Sequence, residues 1–490
     1  VAANLIIPGF NPDPSVVQVG DDYYLATSSF EYRPGVPVYH SRDLANWELI
    51  GHVVDRPGIL DDSVRTSGGI WAPTIRHDGG RFYLIVTDAM GKGNLLFTAE
   101  DPAGRWSDPT PLPDINGIDP DLAWDDDGTC YVTFSGLRLS PPIEHRGIQQ
   151  ARIDLETGRA LEEPRAMWSG TGLMFPEAPH LYRIGDWWYL MIAEGGTERG
   201  HAVSIARSES PDGPFAGCPA NPVLSARSTA RQVQNTGHGD LVVGPDGNWK
   251  MVLLGMRTTG GTRAFSPLGR ESFITDVRWV DDWPVVDPVI LPNDIPTPVF
   301  CDDFDAPELG PEWIGVRRFP GEMSSLADGV LHIAGERRTM DDPAPTFVGR
   351  RQRRLDARIT ARVVDRRGVG GITVRYDEEH HYDLEIRGDG VVARARLATI
   401  TDERCASLPS GPVTLFAEMR RPDGFFAMTS DIITLGFETG VERHEVAAFD
   451  GRYLTAEAAC SFTGRVAGMY CATGELGFDS YREEGLAIDA

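Results

Sequence analysis

The sequence predicts an all-β protein of two domains, a five-bladed β-propeller over residues 1–295 and an antiparallel β-sandwich over residues 296–490. Three observations predict it. A turn followed by an aromatic and hydrophobic run recurs five times in the first part of the chain. A proline-punctuated stretch, LPNDIPTPVF (291–300), then interrupts the pattern as inter-domain linkers do. Beyond it, short alternating runs continue with no helical periodicity.

The five copies are GDDYYLAT (20–27), GGRFYLIVT (79–87), DGTCYVTFSG (127–136), GDWWYLMIAEGG (185–196) and DGNWKMVLLG (246–255). They recur at intervals of about 50 to 60 residues, a little longer than the familiar propeller repeats. Between them lie segments such as VPVYHSRDLANWELIG, NLLFTAEDPAGRWSDP and AVSIARSESPDGPF, each read as two further strands closing on a turn. Four antiparallel strands repeated radially make a propeller blade and leave few exposed edges.

Composition narrows the partners. The net charge is −26, from 72 acidic against 46 basic residues, which argues against nucleic acid or an anionic membrane and fits a neutral substrate better. No apolar run approaches a membrane span. Self-association into a homo-oligomer is left open. The six cysteines (Cys130, Cys218, Cys301, Cys405, Cys460 and Cys471) form no CxxC pair and are expected to be mostly reduced core thiols. That usage, with no signal-peptide pattern in VAANLIIPGF, points to the cytoplasm, although a chain that does not begin with Met leaves a removed leader open.

Ahead of the second-strand aromatic of each copy, at a near-constant offset, lie Asp13, Trp71, Asp119, Glu177 and His238, within NPDPS, WAPT, IDPD, PEAP and GHGD. Equal offsets in a radial repeat mean equivalent places, so these five are expected just ahead of the innermost strands, converging on the mouth of the central channel. As a mere turn, NPDPS would need no chemistry. Three carboxylates gathered on one floor have no structural purpose, however, and their pKa values must separate. One protonated and one ionised carboxyl facing across a glycosidic bond form the apparatus of glycoside hydrolysis, and a third charge keeps the acid protonated. Trp71 and Phe30 would offer flat apolar faces to a sugar ring. The neighbouring acids Asp121, Asp125, Asp126 and Asp127 read as turn residues, and Glu194 and Glu198 as rim or hydrogen-bonding groups. His180 reads equally as a support for Glu177 or as a structural histidine.

NPDPS, SGGIWAPTI, NGIDPDL, MFPEAPHL, NTGHGDL and LGRESF, in that order, resemble the successive motifs of glycoside hydrolase family 43, in its β-xylosidase and α-L-arabinofuranosidase branch. The C-terminal GRYLTAEAACSFTGRVAGMYCATG resembles the end of the sandwich appended to those enzymes, a jelly-roll, concanavalin-like domain. The resemblance implies that Asp13 is the general base, Glu177 the general acid, and Asp119 the residue that raises the acid's pKa and orients it. It implies inversion at the anomeric carbon, for which the two carboxyls stand about 6.5–9.5 Å apart with a water between. It also implies that Phe30, Trp71, His238 and Arg270 contact the sugar, and that Phe462 in SFTG reaches the pocket from the second domain, closing it into a pouch that releases terminal sugars.

No cofactor is required for this chemistry. A water-ligated calcium on His238 occurs in some relatives, although one histidine is a poor ligand set for a hard cation. Arg33 departs from the xylosidase pattern and leaves the leaving-group preference open. The expected activity is release of terminal pentoses, β-D-xylose from xylo-oligosaccharides foremost, with α-L-arabinofuranose or another exo-activity as alternatives. A sugar-binding lectin would carry similar residues in every blade, whereas these five positions differ; retaining fructan and sucrose hydrolases use other motifs.

Overall fold

The computed structural model describes residues 4–138, 144–261, 264–291, 298–422, 424, 427–440, 442–459 and 461–486. The linker residues 292–297 and Cys460 lie outside the described residues. The chain forms two compact units by its contacts: Val1–Glu31, Gly35–Met256 and Glu271–Asn293 in the first, and Tyr32–Pro34, Arg257–Arg270 and Asp294–Ala490 in the second. Two short pieces that the sequence reading places within the propeller therefore pack with the C-terminal unit.

The first unit is the five-bladed propeller. Its innermost strands are Ser15–Val19, Gly69–Asp78, Ile118–Trp124, Glu177–Ile184 and Val233–Val243, one for each of blades one to five, and each opens an antiparallel sheet running outward. The repeated aromatic run is the second strand of its blade: Tyr24, Tyr83, Tyr131 and Tyr189 pair with Val17, Arg76, Ala123 and Tyr182 of the innermost strands. Blade five is completed from the other end of the chain, because Leu5–Ile7 pairs with Glu271–Val280. Blade-to-blade packing supplies the core. Ile7, Val16 and Leu25 interdigitate with Val242, Val252 and Ile274 between blades one and five, and Ile85 and Leu96 meet Leu122, Val132 and Phe134 between blades two and three. Sheets that bury both faces against neighbours need apolar residues on both, which is why the second strands read as continuous hydrophobic runs.

The second unit is a nearly closed β-sandwich. Its organising element is the 20-residue strand Val466–Gly485, which pairs with Phe347–Arg351 and Val369–Arg375 along its first half and with Ala357–Arg366 and Phe300–Asp302 along its second. A strand this long must turn a corner to serve both sheets. Gly474 makes the turn at φ 74°, where a Cβ would lie 2.3 Å from the Arg367 carbonyl oxygen. Trp313, Leu331, Ile359, Leu384, Leu415 and Phe478 lie in one core between the sheets. Among the described residues, no helix is long and apolar enough to cross a membrane. Cys130, Cys218 and Cys471 are buried free thiols, as expected, but Cys301 and Cys405 are exposed and not part of the core.

Candidate active site

The residues singled out by the repeat do not all stand ahead of their strands. Only Asp13 does; Trp71, Asp119, Glu177 and His238 lie within the innermost strands. Nor are they strictly equivalent. Counted from the partner of the blade's tyrosine, Asp13 and Asp119 lie four residues upstream, whereas Trp71 and Glu177 lie five. For Asp119 the sequence offset hides this, because the hairpin between Trp124 and Cys130 is longer than the two-residue turns of blades one, two and four. Glu177 thus stands one residue further from its blade's tyrosine partner than the two aspartates do.

The prolines of the motifs also find a reason. In blades two, three and four the pairing slips by one residue between Trp71 and Thr74, Ile118 and Asp121, and Glu177 and His180. Pro73, Pro120 and Pro179 fall within these bulges, where the ladder is interrupted and a missing N–H costs nothing. Asp13, Asp119, Ala178 and His238 adopt left-handed backbone, with φ of 56°, 54°, 50° and 48°. Non-glycine residues in that region cost about 1–3 kcal/mol each, a strain that clusters at functional sites.

Asp13 is 5% exposed and held from two sides. Its Oδ2 accepts the Ser28 hydroxyl at 2.6 Å, and its Oδ1 lies 3.5 Å from His238 Nδ1. The loop is tied down around it: Tyr39 donates to the Asn11 side chain at 2.7 Å, and Ser272 to the Asn11 carbonyl at 2.6 Å. Asp119 is buried, and its Oδ2 accepts the amide of Ala178, the residue after Glu177, at 3.1 Å. Glu177 itself is half-buried. Phe30 and Trp71 come together because Phe30 exchanges backbone hydrogen bonds with Ile70, at 2.9 and 3.2 Å. Glycine is required there, since a Cβ on Gly69 would lie 2.6 Å from the Phe30 carbonyl oxygen. The Trp71 indole N–H donates to the Ser67 carbonyl at 2.7 Å, leaving its ring half-buried.

Arg270 and Phe462 both belong to the second unit, where they meet: the Arg270 guanidinium carbon is 5.5 Å from the Phe462 ring centre, and an Nη2–H donates to the Phe462 carbonyl at 3.4 Å. Arg33 is buried in the same unit, its strand pairing with Gly315–Val316. Glu194 is a hydrogen-bonding residue, as expected, accepting the amide and hydroxyl of Thr171 at 2.7 and 2.9 Å.

The sequence reading missed the layer beneath the carboxylates. Asp121 is no turn residue: it is fully buried on the innermost strand of blade three and ion-paired with Arg76 at 2.8 Å. Arg76 also pairs with the buried Asp240 at 2.9 Å and donates to Ser15 Oγ at 3.2 Å and to His180 Nδ1 at 3.0 Å. A guanidinium only donates, so His180 is a neutral acceptor at Nδ1 and carries its proton on Nε2. Tyr182 and Ser15 donate to the two oxygens of Asp240 at 2.5 and 2.8 Å. Burial opposes the charge on Asp240, but the Arg76 guanidinium and the hydrogen bonds from Arg76 and Tyr182 outweigh it and hold that carboxyl well below its usual range. Burial likewise opposes the charge on Arg76, and Asp121 and Asp240 overcome it. The available signal was a second polar residue two positions after the first in NPDPS, IDPD and GHGD: Ser15 after Asp13, Asp121 after Asp119 and Asp240 after His238.

A calcium is not caged by these donors. His238 offers nitrogen, its Nδ1 faces Asp13, and calcium takes six to eight oxygens. Among the described residues, one group gathers three donor side chains, His332, Asp365 and Glu475 in the sandwich, and Arg367 pairs with both of its carboxylates.

Three carboxylates at or near the starts of innermost propeller strands, with Phe30 bonded to the strand that carries Trp71, suit a sugar-cleaving hydrolase of the propeller type. Comparison with known proteins gives the family. The model of glycosyl hydrolases family 43 matches residues 2–284, and that of the β-xylosidase C-terminal concanavalin A-like domain matches residues 301–480. The chain belongs to glycoside hydrolase family 43. It is 38% identical to a non-reducing-end α-L-arabinofuranosidase of Bacteroides ovatus over 95% of this chain and 90% of that protein. It is 39% identical to a xylosidase/arabinosidase of Butyrivibrio fibrisolvens over 72% of each. Its structure is similar to the crystal structure of a xylan β-1,4-xylosidase from Bacillus halodurans, with a TM-score of 0.88 at 30% identity over 99% of this chain and 100% of that one.

Proposed function

We propose that this glycoside hydrolase is exo-acting and inverting, and that it releases terminal pentoses from small plant-derived oligosaccharides, β-D-xylose from xylo-oligosaccharides first. Asp13 takes a proton from a water that attacks the anomeric carbon, Glu177 gives its proton to the departing glycosidic oxygen, and Asp119 positions Glu177. The products are the free sugar and the shortened chain, with no cofactor. The observation that carries this reading is the bond from the Ala178 amide to Asp119, which fixes one carboxylate against the peptide flanking Glu177, as a group orienting a general acid requires. The B. ovatus relative named an α-L-arabinofuranosidase supports that sugar as the alternative.

Proton NMR of the first minutes of hydrolysis tests both points. A p-nitrophenyl β-D-xyloside should yield α-xylose first, and an α-L-arabinofuranoside β-arabinose; initial release of the β-xylose anomer would refute inversion. Glu177→Gln and Asp13→Asn should each lower kcat on xylobiose by about 10²–10⁴-fold.

A further inference from the structure

We propose that Arg76 is the positioning residue of this active site, a single guanidinium that sets the spacing between the strands carrying the general acid and the general base; the proposal rests on the acid–base roles given above. Its contacts come from all the other blades: Ser15 from blade one, Asp121 from three, His180 from four and Asp240 from five, with Arg76 itself on blade two. Every one of these lies just downstream of a site residue. Ser15 follows Asp13 by two positions, Asp121 follows Asp119 by two, Asp240 follows His238 by two, and His180 follows Glu177 by three. Along an extended strand that is about 7–10 Å, so the tie lies one layer below the reacting groups.

The tie is specific to arginine. A planar fork with five donors engages two carboxylates, a hydroxyl and an imidazole at once, whereas a lysine ammonium has three donors at one point. Ser15 extends the joint, since it also accepts the Ile75 amide at 3.1 Å, and Asp240 accepts the Val16 amide at 2.9 Å. Asp121 in turn accepts the Leu181 amide at 2.9 Å, close to Glu177. Buried ion pairs are seldom the cheapest way to stabilise a core. What this one provides is a fixed spacing among all five innermost strands, and inversion needs base, water, sugar and acid held in register at the same instant.

The experiment compares parent, Arg76→Lys, Asp121→Asn, Asp13→Asn and Glu177→Gln on xylobiose, with thermal unfolding of each. A misplacement of about 1 Å costs on the order of 10²-fold, so folded Arg76→Lys should lose about that much kcat while KM stays within about threefold. Asp121→Asn keeps an acceptor for the Leu181 amide, removes the charge, and should lose about tenfold; it decides alone if Arg76→Lys does not fold. A folded variant of either kind with lower melting temperature but kcat within about threefold of the parent would make the network merely structural and overturn the proposal. If Asp13→Asn or Glu177→Gln keeps the parental rate, the acid–base reading fails and the proposal with it; if both are inactive while Arg76→Lys and Asp121→Asn are not, only the proposal fails.

Discussion

Asp13, the proposed general base, shows how far a side chain's position is made by its neighbours. Its carboxylate is held by Ser28 at 2.6 Å on one oxygen and faces His238 on the other, and its left-handed backbone is maintained by the anchored Asn11. A hydrogen bond to a charged group is worth about 1.5–3 kcal/mol. Ser28→Ala removes that bond and should loosen the proposed base. Steady-state kinetics should show kcat reduced by about tenfold or more with KM nearly constant, and an unchanged kcat would mean that His238 and the backbone suffice to orient Asp13. The residue types at the site were legible in the sequence, because aspartate and glutamate at recurring offsets beside prolines are rare for structural reasons. Asp121 was misread because its neighbours in DDDG are surface-turn residues, and nothing local separates a buried aspartate from an exposed one.

At the scale of the element, the innermost strands are built around an irregularity. The bulges after Trp71, Ile118 and Glu177 re-aim side chains that a regular pleat would send elsewhere. Ala178 carries this in blade four, with φ 50° and its amide on Asp119. Replacing it by valine adds β-branching to a left-handed residue and should cost about 1–2 kcal/mol. Ala178→Gly should stay within about 1 kcal/mol of the parent, since relieved strain offsets added chain entropy. Urea unfolding of the two variants checks this, and equal stabilities would show that the left-handed residue is not strained. The one-residue difference between Glu177 and Asp119 escaped the sequence because two changes cancelled: a longer hairpin in blade three compensated for the displaced register.

At the scale of the whole molecule, the ring of blades closes through three residues. Leu5, Ile6 and Ile7 are 6%, 6% and 2% exposed, and they supply the strand that completes blade five. Burying each is worth about 1.5–3 kcal/mol, so together they approach the 5–15 kcal/mol that stabilises a typical domain. A chain starting after Pro8 should therefore melt at least 10 °C lower or fail to accumulate as soluble protein, and an unchanged melting curve would show that the propeller closes without them.

The sequence by itself determined the all-β class, the five-fold repeat, the family and the three carboxylates, because turn chemistry, strand alternation and catalytic residue types are local properties written in consecutive residues. The Arg76 network, the bulges beneath the prolines and the assignment of Arg257–Arg270 to the C-terminal unit were decided only by the tertiary structure. Each depends on which strands lie side by side. A guanidinium that joins Ser15 to Asp240 bridges residues at opposite ends of the propeller sequence, and only closure of the ring brings them within hydrogen-bonding distance.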